Sequence, residues 1–183
     1  MIWLVLGVAL WWGAHLWKRV APESRAGLGD RGKGIVAGLL ALSVILMVVG
    51  YRSADGPVWW GPSAALVGIN NLLVLVAFYL FAASGAKSRI GVRFRHPQLT
   101  GFSLWAVAHL LVNGDLPSLI LFGGLLLWAV VEIMMINRAQ PHWTPAAGPI
   151  PLRKEFTTAL AAVVVYGVVA MIHGWIGPNP FTA

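Results

Sequence analysis

Gly101, Trp105, His109 and Asn113 recur every four positions within one apolar run, so on a helix they form a single, slowly drifting stripe. Trp11 and His15 repeat the Trp-to-His step near the start of the chain. An imidazole inside an apolar segment ordinarily faces a bundle interior and marks a proton path, a metal or a haem. Its plainer task is to hydrogen-bond a neighbouring helix as packing. Three histidines, His15, His109 and His173, fall in apolar runs, and that number points to chemistry beyond packing. The stretches Trp11-Trp12-Gly13-Ala14-His15-Leu16 and Trp105-Ala106-Val107-Ala108-His109-Leu110 both read W-x-x-A-H-L. In a chain rich in Trp and Ala this echo is a faint trace of duplication.

Other polar groups support narrower readings. His96 stands between Arg95 and Pro97, where Pro suits the first turn of a helix; the histidine is either solvated there or joins Arg95 in contacting an anion. Asn70 and Asn71 can hydrogen-bond between helices without charge. Glu132 reads as an ion-pair partner for a basic stretch in preference to a group that orients an imidazole. The chain has no Cys, which excludes disulfides, thiolate ligation, Cys-bound zinc and covalent haem attachment through Cys-x-x-Cys-His. Any metal must rest on His or carboxylate.

The elements that position these groups belong in a bilayer. With 58% hydrophobic and 10% charged residues and a mean hydropathy of +0.78, the chain is unlike a soluble domain, in which roughly a quarter of residues are charged. Apolar runs extend from Ile2 to Trp17, Gly34 to Tyr51, Pro62 to Ser84, Pro97 to Val112, Ser118 to Asn137 and Phe156 to Ile176. Each approaches the roughly 17 to 25 residues of a spanning helix, the first and fourth being short. The expected fold is therefore all-α: a polytopic bundle of about six transmembrane helices forming a single domain over residues 1–183.

A net charge of +7 would suggest nucleic acid in a soluble protein, but here the placement of charge matters more. Lys18, Arg19, Arg25, Arg31 and Lys33 separate the first two runs; Lys87, Arg89, Arg93 and Arg95 separate the third and fourth; Arg138, Arg153 and Lys154 separate the fifth and sixth. Of the 13 cations only Arg52 lies in the other set of loops, so the positive-inside rule puts the basic loops in the cytoplasm and both termini outside. The first run lacks a preceding basic region and a small-x-small cleavage site, and reads as a retained helix. Lys18 to Lys33 reads as a solvated topogenic loop, Ser53 to Pro62 with Trp59 and Trp60 as an outer interfacial belt, and Asn113-Gly114-Asp115 as a tight turn. Four prolines from Pro141 to Pro151 rule out a regular helix there.

Depth along the helices bears on which histidines meet. At 1.5 Å per residue, His15 lies about 20 Å from the outer face, whereas His109 and His173 lie about 5 to 10 Å from it. Depth alone pairs His109 with His173, and leaves His15 with His96 and Glu132 nearer the cytoplasm.

RHPQLTGFSLWAVAHLLVNGD followed by SLILFGGLLLWAVVE resembles the signature of the NnrU family of bacterial integral membrane proteins. HLWKRVAPESRAGLGDRGKG, LMVVGYRSA, Ile136-Asn137-Arg138 and the closing IHGWIGPNPF resemble the same family, so the likeness covers nearly the whole chain. It implies an inner-membrane protein associated with denitrification and with nitric oxide reductase, and distantly similar to zeta-carotene isomerase, a membrane protein whose haem b is held by two histidines. Carried over, the ligands are His15 and His109, against the pairing that depth favours. Trp105 would pack on the cofactor, and Arg25 or Arg95 would meet the propionates. Haem-dependent isomerase or redox activity follows from that resemblance.

Two other functions compete. A non-catalytic accessory factor for a nitric oxide reductase suits the short loops and the lack of an evident carboxylate dyad. A membrane methyltransferase is suggested by Arg95-His96-Pro97-Gln98-Leu99-Thr100-Gly101, which resembles the R-H-P-x-Y-x-G element of isoprenylcysteine methyltransferases. Leu99 replaces the Tyr of that element, and no downstream acidic pair accompanies it.

Overall fold

The structure is a computed structural model that describes residues 1–182, and helices account for most of them. They are α1 (Ile2–Val20), α2 (Pro22–Gly27), α3 (Arg31–Arg52), α4 (Ala64–Ala86), α5 (Arg89–Arg93), α6 (Pro97–Val112), α7 (Leu116–Ala139) and α8 (Leu152–Ile176). Among the described residues the only strand-like pairing is an isolated bridge between Val58 and Asp115.

Four helices, α3, α4, α7 and α8, are long and apolar enough to cross a membrane, which makes this a multi-pass membrane protein. The remaining long helices are less clear-cut spans. α6 has 16 residues, and the 19 of α1 include four Trp and end on Lys18 and Arg19. Large apolar side chains on the outer faces, such as Ile45, Val48, Val163 and Val164, are exposed and suited to contact lipid.

Local chemistry sets the helix ends. Ser63 caps α4 by accepting from Leu66 N, and Lys87 closes that helix in the left-handed region at φ 51°. Pro97 opens α6, where its missing N–H costs no intrahelical bond. Asp115 caps α7 by accepting from Ser118 N and Ser118 Oγ, both at 2.8 Å. α7 then makes a π-helical turn over Leu119–Gly123 before continuing as α-helix from Gly124 to Ala139.

The long helices pack in the order α3, α1, α7, α6, α4, α8, and Arg52 Nη2 joins the two ends of that row by donating to Ile176 O at 2.8 Å. Small residues permit the closest approaches. At Gly50 of α3 a methyl group would collide with the backbone of Leu4, so α1 and α3 touch there main chain to main chain. That contact and the Arg52 bond put both chain ends at the same end of the bundle, opposite the other cations.

Two loops join at the Arg52 end. Trp59 N donates to Gly114 O, Gly114 N to Trp60 O and Leu116 N to Pro57 O, while Trp60 Nε1 donates to Leu110 O at 2.8 Å. The expected belt and the expected turn thus form one unit, and Gly114 lies under the Trp60 indole where any side chain would overlap it. At the opposite end α2 folds the basic connection back so that Arg25 lies over Gly32, and residues 140–151 run as an extended strap without a helix.

Candidate functional site

Each Trp–His step sits on a helix and makes the same local bond. His15 Nδ1 donates to Trp11 O at 3.0 Å, and His109 Nδ1 donates to Trp105 O at 2.9 Å. Because a carbonyl can only accept, the bond places the proton on Nδ1 and leaves Nε2 with its lone pair outward. Each imidazole also tilts against its own Trp, at ring-centroid distances of 4.3 Å for His15 and 4.9 Å for His109. The W-x-x-A-H-L echo therefore has a structural counterpart.

The surroundings of the two units differ. His109 faces a cavity of about 450 Å³ walled by α3, α4, α6, α7, α8 and the residues after α8. His173 lines the same cavity, and its Nδ1 donates to Pro178 O at 2.8 Å, so Nε2 is the acceptor nitrogen of its neutral tautomer too. Phe122, buried in the π-helical turn of α7, stacks on His109 at 4.6 Å and 28°. Asn70 borders the cavity at 8% exposure; its Nδ2 donates to Asn71 Oδ1, and its Oδ1 has no hydrogen-bond partner. Asn71 in turn donates to Pro180 O at 2.9 Å, tying the segment after α8 to the cavity wall. An apolar groove of about 520 Å³ adjoins the cavity and shares Phe78 and Trp105 with it.

His15 lies instead among rings. Its centroid is 4.4 Å from that of Trp128, and Trp11 meets Trp128 edge-on at 5.3 Å. One turn toward the basic end, Arg19 Nε donates to Glu132 Oε1 at 2.7 Å, the ion pair that the sequence favoured for Glu132. Phe102 contacts Trp11, Trp128 and Trp105, so ring contacts run from His15 to His109 through three or more intervening side chains. No ring contact joins His15 directly to His109 among the described residues.

The remaining sequence candidates lie near the basic end. His96 Nε2 donates to Asn137 Oδ1 at 2.8 Å, Arg95 donates to Gln140 O, and Arg25 rests on α3. None of the three lines the cavity that His109 faces, whereas Trp105 does. Phe122, Trp128 and Phe102 were not legible as site residues. The π-helical turn that aims Phe122 has no signature in Leu119–Gly123, and the other two are aromatic residues in apolar runs.

Haem is the cofactor that the family resemblance implies, and its requirements can be set against these residues. A histidine that would hold haem iron needs a free Nε2 lone pair with Nδ1–H anchored; His15, His109 and His173 all make that anchor, and His109 and His173 make it on one cavity. The cavity volume falls within the roughly 300 to 1,000 Å³ of cofactor pockets, and Trp105, Phe122, Phe78 and Tyr166 give it aromatic walls. A bare metal ion is poorly served, because no three His, Cys, Asp or Glu side chains converge among the described residues. The residues fit a haem held at His109 with His173 on the same cavity.

No curated protein and no solved structure matches the chain. A family model described as NnrU protein matches residues 3–180, nearly the whole length, and the chain therefore belongs to the NnrU family.

Proposed function

We propose that this chain is a six-helix protein of the bacterial inner membrane, with both termini outside, that binds haem b near the outer face and serves denitrification and nitric oxide reduction. The observation that carries the cofactor is the sharing of one aromatic-walled cavity by His109 and His173, each with Nδ1 anchored to a backbone carbonyl. Haem b would supply a redox-active iron able to bind nitric oxide. The protein's residues do the rest. Trp105 O and Pro178 O fix the imidazole tautomers, Phe122 holds the His109 ring plane, and Asn71 ties the segment after α8 to the cavity wall. Arg52, bonded to Ile176 O, is the side-chain cation at that end.

The test is an absorption spectrum of the protein purified in detergent after expression with ample haem, oxidised and then reduced. A Soret band that is lost in His109→Ala and weakened or shifted in His173→Ala supports the proposal. A colourless protein from several hosts ends the cofactor assignment. Loss in His15→Ala with retention in His173→Ala would transfer the second ligand to His15, the pairing that the resemblance implies.

A second reading, an accessory factor that assembles with a nitric oxide reductase without a cofactor, draws on the proline-rich strap, which carries Trp143 exposed outside the bundle. It predicts that the reductase co-purifies with the unsubstituted chain and equally with the His15, His109 double substitution. Failure of the reductase to co-purify with either counts against it.

A further inference from the structure

Buried polar atoms without a hydrogen-bond partner are rare in folded proteins, and each calls for a cause. Four occur among the described residues: Trp11 Nε1, Trp128 Nε1, Glu132 Oε2 and Asn70 Oδ1. Three of the four lie around His15, on two helices that face each other. Trp11, His15 and Arg19 follow at i, i+4 and i+8 along α1, and Trp128 and Glu132 follow at i and i+4 along α7. The rings of Trp11, His15 and Trp128 touch one another pairwise at 4.3, 4.4 and 5.3 Å, and the Arg19–Glu132 bond closes the next turn at 2.7 Å. Trp128 and Glu132 are only 4% and 6% exposed, so lipid headgroups and bulk water do not satisfy these atoms.

The inventory of partners is specific. Two indole N–H groups can only donate, and the free carboxylate oxygen of Glu132 can only accept. His15 Nε2 also accepts, since its Nδ1–H is committed to Trp11 O. Two donors and two acceptors match the capacity of a single water molecule, which accepts two hydrogen bonds and donates two. Buried waters typically make about three hydrogen bonds to otherwise unsatisfied groups. An anion would gain the indole donors but meet the Glu132 carboxylate, and a cation would gain Glu132 but meet two N–H groups and Arg19.

We propose that Trp11, Trp128, Glu132 and His15 bind one water molecule between α1 and α7, and that this water joins the His15 imidazole and the Glu132 carboxylate into one hydrogen-bonded unit. The charged groups facing it are Arg19 and Lys18 from α1 and Glu132 from α7; Phe102 is the ring that α6 presents. His15 on this reading is a water ligand and not a partner of His109, so the site is compatible with haem held at His109 and His173 and is overturned if His15 proves to be the second haem ligand.

The experiment uses the full chain in detergent micelles with ¹⁵N-labelled Trp and His, each indole signal being assigned by a single Trp→Phe variant. Trp12 is the internal control, because its Nε1 donates to Gly124 O at 3.0 Å and needs no water. Trp11 and Trp128 indole protons should show cross-peaks to a long-lived water and exchange with deuterium faster than Trp12. Trp128→Phe, which keeps a ring and removes one donor, should lose the Trp11 cross-peak and shift the His15 Nε2 ¹⁵N resonance well beyond the ring-current change that the carbon-bound His15 ring protons report. Glu132→Gln should shift that resonance too, and where it fails to fold the Trp128→Phe readout decides. Absence of water cross-peaks at both indoles, or exchange no faster than Trp12, overturns the site; a His15 Nε2 resonance that moves no more than the His15 ring protons in folded Trp128→Phe overturns the link to the imidazole.

Discussion

The Trp11–His15 and Trp105–His109 units share a sequence, a backbone bond and a ring tilt, yet one sits among the rings of a neighbouring helix and the other opens on a cavity. What packs opposite decides the difference. At the level of His15, α7 is regular α-helix and presents Trp128 and Glu132, which set a ring beside the imidazole and an ion pair one turn away. At the level of His109, α7 makes its π-helical turn, and Phe122 stacks on the imidazole where both border the cavity. π-Helical turns concentrate at functional sites because they re-aim side chains that an α-helix would direct elsewhere. A local motif thus sets the tautomer of an imidazole, while the neighbouring helix sets its task.

The sharpest way to break the comparison is to delete each imidazole in turn. With haem supplied, His109→Ala should abolish the Soret band, and His15→Ala should leave it in place; absorbance per mole of purified protein checks both. Equal loss in the two variants would mean that the units do one job together.

Next in size is the ion pair beside His15. Glu132→Ala leaves Arg19 without its partner and should destabilise the protein by about 3 kcal/mol, the low end for a broken buried pair because the Arg19 side chain keeps 20% exposure. Unfolding in mixed detergent–SDS micelles, followed by circular dichroism, measures it. Among the described residues no acidic side chain lines the cavity near His109, so no equivalent substitution exists at the His109 unit.

The sequence disclosed more of the fold than of the site. The bundle class, the helix bounded by Pro97 and Val112 and the extended Pro141–Pro151 strap follow from apolar run length and from proline. Depth, computed from rise per residue alone, brought His109 and His173 to one level, and both line the same cavity. The environment of His15 was less legible. Its neighbours Trp128 and Glu132 lie more than a hundred residues away, and sequence spacing carries no information about which face of α7 meets α1. The Trp pair at 59 and 60 read as an interfacial belt, but the docking of Trp60 over Gly114 depends on contacts between two loops.

That docking supports the His109 unit, since Trp60 Nε1 holds Leu110 O, one residue beyond His109. Gly114→Ala should force the indole aside and cost about 1 to 3 kcal/mol, as overpacking does. Trp fluorescence should report a more solvated indole in the same variant, while His15 ring signals stay unchanged. A change at His15 would show that the two units are mechanically coupled through α6.

The smallest expected effect falls on Phe122. Phe122→Leu keeps an apolar side chain but removes the ring that lies 4.6 Å from His109 at 28°, and an aromatic pair contributes about 0.5 to 1.5 kcal/mol beyond its buried area. Stability should fall by about that amount. The more telling readout is the His109 ring proton shift, because a stacked ring moves it and a leucine does not. His15 receives its ring currents from Trp11 and Trp128, so its shifts should hold. If instead the His109 shifts are unmoved and the His15 shifts change, the π-helical turn does not set the His109 ring plane, and the contrast between the two units must arise from α6 and not from α7.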